Sequence, residues 1–324
     1  MHWFKHTVIA LAVAMTLGTT ASFAQDPAAD FPNRPLRLVV PFGAGGGSDT
    51  LARTLAGNSS AYLGQPISID MQPGASGVIG TTEFVRSAKP DGYDMIITGT
   101  GATTTIPHSQ KLTYDPLEDF EFVIGIVGLT EVLAVRDDFP AKTAQEFIEY
   151  IKANPGKVSL GHSGTGGEDW ALIRLLANAT GTEITDVPFD GGGPASTAAA
   201  GGHIDGVITS HVAVTPFVES GDLRILAVVA TQPSAALPDV PTMPSLGYKD
   251  VVLDSRLGIA VPKGTPKPIV QKLHDAFKKT MEDPSFLSFA KRLNMNLQYI
   301  GLDDYKQALK GDFERIGTVY DKTK

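Results

Sequence analysis

The chain has no cysteine among its 324 residues. Disulfide staples and a lipid anchor on an N-terminal thiol are therefore excluded, and the fold must stand on its apolar core alone. Positive charge is also scarce. Lys and Arg total 27 against 35 Asp and Glu, a formal net charge of −8. With no basic run to offset that balance, nucleic acid and anionic membrane surfaces are not expected partners. Long hydrophobic runs are missing too. The main one, Val8–Leu17, falls short of the roughly 20 residues that span a bilayer. Gly (34) and Pro (22) stay below the roughly 25–30% share that marks low complexity.

What is present begins with that short apolar run. Lys5 precedes it, and Ser22-Phe23-Ala24 ends it on small residues. This pattern predicts a signal peptide over residues 1–24, cut after Ala24, and a periplasmic location. Residues 25–324 then suffice for two domains of about 150 residues each.

Patterning predicts an alternation of strands and helices. Leu36–Pro41 reads as a strand, and Ser48 or Asp49 as the cap of a helix carrying Leu51, Leu55 and Tyr62 on one face. Strands at Pro66–Met71 and Tyr93–Thr98 flank a helix over Val78–Ser87. A second series follows: a helix over Thr143–Asn154, a strand at Lys157–Gly161, a helix carrying Leu172, Leu175 and Leu176, and strands at Ile184–Phe189, Ile204–Thr209 and Arg224–Ala230. Helices over Pro266–Met281, Pro284–Leu293 and Leu302–Val319 end the chain. Such alternation implies right-handed crossovers and parallel strands. The expected architecture is α/β and two-lobed, each lobe a mixed sheet flanked by helices. Lobe I takes residues 31–128 and 248–324, lobe II takes 129–247, and hinge crossings fall near Gly125–Thr130 and Leu246–Leu253.

The segment that speaks most about chemistry is Phe42-Gly43-Ala44-Gly45-Gly46-Gly47-Ser48-Asp49. A strand ends, side chains vanish and a helix begins, leaving free N–H groups at the positive end of a helix dipole. A plain strand-to-helix turn would need fewer glycines. No Gly-Lys-Ser/Thr follows, so the turn is no P-loop, and Ser48 stands where a dinucleotide fingerprint needs its third glycine. A carboxylate is the expected client. Phe42, Gly43, Ala44, Gly46, Gly47 and Asp49 are the candidate contacts, with Thr100 beyond the third strand.

A similar turn, Gly161-His162-Ser163-Gly164-Thr165-Gly166-Gly167-Glu168, lies in the second lobe. Ligands in open α/β sheets sit beyond the carboxyl ends of strands, so Ser163, Gly164, Thr165 and Gly166 make a plausible opposite jaw. Asp190, in a third strand-to-helix loop, reads either as an acceptor for the ligand or as the cap of the helix begun by Pro194; Asp205 is placed near the cleft. Arg256 reads as a cation for the ligand or as half of a hinge salt bridge, and Trp170 as a ligand platform or a core residue. The same stretch nearly spells a nucleophile elbow, with Thr165 in place of the last glycine, so a secreted serine hydrolase using Ser163 is the alternative; Asp190 or Asp205 with His203, His211 or His274 would complete its triad. Histidine and carboxylate spacing suits no metal site, and no cofactor is expected.

The order of short motifs carries a further resemblance. Phe31-Pro32-Asn33-Arg34-Pro35 leads into the glycine turn. Gly64-Gln65-Pro66, Pro73-Gly74-Ala75-Ser76-Gly77, Lys89-Pro90-Asp91-Gly92-Tyr93, Leu237-Pro238-Asp239-Val240-Pro241 and Val261-Pro262-Lys263-Gly264-Thr265-Pro266 follow. Together these resemble the Bug-type receptors, the substrate-binding proteins of tripartite tricarboxylate transporters. The resemblance implies a monomeric two-lobed periplasmic binding protein that closes on a small di- or tricarboxylate or aromatic acid and hands it to membrane permease subunits. It also implies that the Phe42–Asp49 turn and the Ser163–Gly167 loop hold the carboxylate. Many members carry Lys where this chain has Asp190, a departure that bears on the charge of the ligand's far end.

Overall fold

The computed structural model describes residues 27–99 and 101–321. The expected signal peptide and its cleavage point lie outside the described residues, as does Thr100. In chain order the elements are β1 (Leu36–Val40), α1 (Gly47–Asn58), α2 (Ser60–Leu63), β2 (Ile67–Met71), α3 (Val78–Ser87), β3 (Asp94–Thr98), β4 (Phe120–Leu129) and β5 (Glu131–Arg136). Then come α4 (Ala144–Ala153), β6 (Ser159–His162), α5 (Glu168–Thr180), β7 (Thr185–Pro188), α6 (Gly192–Ala200), β8 (Gly206–Ser210), α7 (His211–Glu219) and β9 (Leu223–Val228). The chain finishes with β10 (Ser255–Pro262), α8 (Lys267–Glu282), α9 (Pro284–Arg292), β11 (Asn296–Ile300) and α10 (Leu302–Tyr320).

Two mixed sheets result, in the orders β11-β4-β10-β3-β1-β2 and β7-β6-β8-β5-β9. β2, β1 and β3 run parallel, as do β7, β6 and β8; the neighbours β10, β4 and β11, and β5 and β9, are antiparallel. The central strands β1 (Leu36, Leu38, Val39, Val40) and β8 are buried on both faces, the pattern of strands covered by crossover helices. Helices begin where local chemistry favours it. Thr143 caps α4 by accepting from Glu146 N–H at 3.2 Å, while the Glu146 carboxylate accepts from Lys142 N–H at 2.6 Å.

The two sheets are joined at a narrow waist. Thr130 separates β4 of the first from β5 of the second, and the return strand begins at Ser255, paired with Leu129. Val251 and Leu253 still pack in the core of the second sheet with Met243 and Leu226, so the return falls just beyond the Leu246–Leu253 window. α10 supplies a third connection. Tyr305 and Leu309 pack with Phe122 of the first sheet, whereas Ile316 and Tyr320 pack in the core of the second. A 19-residue helix extends about 28 Å at 1.5 Å per residue, long enough to touch both bodies.

Arg256, at the start of β10, points to α10 rather than to the cleft. Its Nε lies 2.5 Å and its Nη2 3.1 Å from the carboxylate oxygens of buried Asp312. Of its two readings, the hinge ion pair is the one observed. Trp170 packs against Tyr320, ring centroids 5.9 Å apart, and takes its core reading. The short elements α7 and β11 escape the sequence pattern for different reasons. α7 carries Pro216 inside it, a residue that normally ends helices, and β11 alternates between exposed and half-buried residues with no apolar stripe.

Candidate functional site

Between the sheets lies a small interlobe cavity. The first lobe contributes Phe42, Gly46, Gly47, Ser48, Ser76, Gly101 and Leu129; the second contributes Glu131, Ser163, Gly167, Glu168, Asp169, Gly192, Thr209 and Ser210. Its walls are largely the beginnings of helices. Gly46 caps α1, which starts at Gly47 and Ser48; Gly167 caps α5; Gly192 opens α6; Ser210 caps α7. None of these four helices has a side-chain bond at its N-cap, which in α6 is Gly191. The first turn of a helix has N–H groups without intrahelical acceptors, and the dipole adds a positive potential there. Four such ends, each on a helix of 9 to 13 residues, aim at one space.

Around the cavity the lobes meet through a backbone-to-backbone bond and a hydroxyl-to-backbone bond. Gly43 N–H donates to the Asp190 carbonyl at 2.6 Å, and Ser76 Oγ donates to the Thr165 carbonyl at 3.2 Å. Glycine makes the first approach possible. A Cβ on Gly193 would sit 2.1 Å from the Ala44 carbonyl oxygen, and one on Gly43 would sit 3.0 Å from the Asp190 carbonyl oxygen. On the other side of the cavity, Gly164 (φ +130°) leaves room for Ser76, whose hydroxyl a Cβ there would meet at 2.4 Å.

The expected contacts divide into three groups. Phe42, Gly46, Gly47 and Ser163 line the cavity. Gly43, Ala44, Gly164, Thr165 and Gly166 lie beside it, in the loops that bring the lobes together or brace α10; the Gly166 carbonyl accepts from Tyr320 Oη at 3.4 Å. Asp49 shapes the first loop instead of facing the cavity: its Oδ2 accepts from Gly45 N–H at 2.8 Å, and its Oδ1 pairs with Arg53 Nε at 2.8 Å.

Two acids depart from their expected places. The Asp190 side chain is exposed and only its carbonyl reaches the other lobe; it does not line the cavity. Asp205 precedes β8 at the opposite end of the sheet from the cavity, where it accepts from Ser159 N–H and Oγ, each at 2.9 Å, and pairs with Arg136. The cavity lies at the carboxyl ends of β6 and β8, and Asp205 sits at the amino end of β8, a strand length away.

The acids that do line the cavity are Glu131, Glu168 and Asp169, between 2 and 5% exposed. The sequence pattern places Glu131 only in a strand and Glu168 only at the end of a loop; the Gly166-Gly167 pair before Glu168 was the available signal for it, and Glu131, after Thr130, has none. Asp169 accepts from Ser163 N–H at 3.2 Å and is also hydrogen-bonded by the Ser163 and Thr209 hydroxyls. Burial pushes its pKa up to about 6, with those hydrogen bonds opposing the rise. Glu131 is pushed well above the usual carboxylate range by burial first and by the neighbouring Asp169 and Glu168 charges next.

Among the described residues, this geometry offers Ser163 no histidine to act as base. His162 accepts from Gly164 N–H through Nδ1 and turns Nε2 toward Asp186 at 3.4 Å. His203 is exposed, His211 opens α7 outside the cavity lining, and His274 bonds Tyr299 in the first lobe. Ser163 instead hydrogen-bonds Asp169.

The Tripartite tricarboxylate transporter family receptor model matches residues 51–324. A protein from Cupriavidus necator, described as a UPF0065 protein in the gbd 5' region, is 38% identical over 306 residues, 94% of this chain and 92% of that one. The structure of the periplasmic binding protein BugD superposes with a TM-score of 0.85 at 31% identity, covering 90% of this chain and 98% of BugD. MatC from Rhodopseudomonas palustris, solved with bound malate, superposes at 0.83 and 29% identity, covering 90% of this chain and all of MatC. These are solute-binding receptors and not enzymes, which overturns the hydrolase alternative. The chain belongs to the tripartite tricarboxylate transporter receptor family, as a periplasmic solute-binding protein of the Bug type.

Proposed function

We propose that the protein captures a small carboxylate between its lobes and delivers it to the permease subunits of a tripartite tricarboxylate-type transporter. The observation that carries this reading is the convergence of the α1, α5, α6 and α7 N-termini on one interlobe cavity. A carboxylate there accepts from backbone N–H groups and from the hydroxyls of Ser48 and Ser210, while Ser163 holds Asp169. Charge-assisted hydrogen bonds contribute roughly 1.5–3 kcal/mol each. Four at the upper value, less about 4 kcal/mol for immobilising the solute, reach about −8 kcal/mol, a micromolar dissociation constant.

Malate bound to MatC supports a carboxylate as the cargo class. The mature receptor begins after Ala24 and works as a monomer, its two lobes acting as jaws about the waist at Thr130 and Ser255. A thermal-shift screen of mono-, di- and tricarboxylates, aromatic acids and amino acids tests the reading. A ligand at 100 times its dissociation constant adds roughly 2.7 kcal/mol to stability. If only solutes without a carboxylate shift the melting point, the reading falls.

A further inference from the structure

The cavity's charge balance narrows the ligand class. Its lining holds three acidic side chains and, among the described residues, no Lys, Arg or His. Acidic residues in the first turn of a helix complement its dipole, which accounts for Glu168 and Asp169. It does not account for Glu131, which opens strand β5 and is 2% exposed. Glu131 meets Asp169 by a hydrogen bond, and its Oε2 is buried with no hydrogen-bond partner. A buried carboxylate oxygen left unmatched costs free energy in the absence of ligand. That cost is met when a ligand supplies a donor, and met best when the donor is cationic.

Asp169 is held in place from three directions. Ser163 offers its N–H and hydroxyl, Thr209 its hydroxyl, and Glu131 its carboxyl. The acid pair is therefore fixed on the second lobe, while the α1 N-terminus and Ser76 face it from the first. A single solute lying between them meets donors at one end and acceptors at the other.

Resting on the carboxylate reading above, we propose that the ligand is an amino acid-like zwitterion, its carboxylate at the α1 N-terminus beside Ser76 and its ammonium on Glu131 and Asp169. A plain dicarboxylate would press its second charge against buried acids with no cation to relieve it, so Glu131 and Asp169 act as selectivity residues against such solutes.

The test is calorimetric titration of the purified protein with matched pairs that differ only in an amino group: aspartate and succinate, glutamate and glutarate, 4-aminobutyrate and butyrate, together with the neutral and basic α-amino acids and their des-amino acids. The expected result is that an amino member binds at least tenfold more tightly than its partner. In Glu131→Gln and Asp169→Asn the amino member should lose at least tenfold, while the des-amino member gains. Because two variants are read, and each is checked for an intact melting transition, misfolding of one does not decide the outcome.

Equal or tighter binding of the des-amino members by the native protein overturns the proposal while leaving the carboxylate reading intact. Binding of dicarboxylates only with added calcium or magnesium, abolished by EDTA, also overturns it, because the cation would then be a metal. If no carboxylate of either kind binds, the carboxylate reading itself has failed.

Discussion

Where the two lobes touch, the structure allows a perturbation whose effects on folding and on binding have opposite signs. Gly193 is the second residue of α6 and does not line the cavity. Its backbone lies outside the positive-φ region, so alanine is conformationally acceptable and improves the helix by up to about 1 kcal/mol. The added Cβ, however, would sit 2.1 Å from the Ala44 carbonyl oxygen and 2.9 Å from the Gly45 carbonyl carbon. Ordinary contact begins near 3.4 Å, so the lobes must separate by more than an ångström at this edge. Both opposing groups are backbone and cannot rotate away. Overpacking of this kind costs about 1–3 kcal/mol, and it is charged only to the state in which the lobes meet. Gly193→Ala should therefore raise the melting temperature of the ligand-free protein or leave it unchanged, yet weaken binding by a factor of about 5 to 150. Calorimetric titration with the ligand found by thermal-shift screening measures the second effect and differential scanning calorimetry the first. Small-angle scattering adds a third readout, a smaller decrease in radius of gyration on saturation. Unchanged affinity in a correctly folded variant would refute the idea that the Gly43–Ala44 loop must meet the Asp190–Gly193 loop for binding.

Four further outcomes follow from the same contacts. Replacing Arg256 by Gln leaves Asp312 buried with only Arg315, 3.0 Å away, and should destabilise the protein by about 3–5 kcal/mol in urea unfolding. Asp205→Asn should cost about 1–2 kcal/mol through its bonds to Ser159 and Arg136, with no change in ligand affinity; a large loss of affinity would put that residue back in the site. Glu131, raised in the folded state and facing Asp169 and Glu168, binds its proton more tightly folded than unfolded. The native state thus gives up stability as pH rises from about 4, so Glu131→Gln should show no advantage below about pH 4 and a growing one above it in melting curves without ligand. Ser163→Ala should weaken binding by roughly tenfold, and ester substrates should show no turnover by the native protein or the variant.

How far the sequence could be read depends on whether each residue's role is local. The strand-to-helix turns were legible because glycine, a following cap and an apolar period are all written within a few positions. Phe42, Gly46, Gly47 and Ser163 were found in that way, and all four line the cavity. The same reasoning carried the two-sheet architecture, since the alternation of strand and helix is a matter of pattern. It failed for contacts made across the chain. Gly43 was read as a ligand contact because glycine-rich loops suggest anions, and Asp190 as a ligand acceptor or a helix cap, whereas here the glycines let one backbone touch another. Asp205 was drawn to the cleft by its place beside a strand, but strand direction puts it at the far end. α10 was assigned to one lobe because nothing in an amphipathic pattern says that its two halves face different cores, as Leu309 and Ile316 do. Glu131 is the instructive case. One charged residue opening an apolar strand, Glu-Val-Leu-Ala-Val, looks like the exposed end of β5. It is buried because β5 follows the waist at Thr130 directly, and the first residue past the waist necessarily faces the space between the lobes. A hinge that short sets its neighbour against the interlobe cavity, which is where the proposed selectivity role needs a carboxylate.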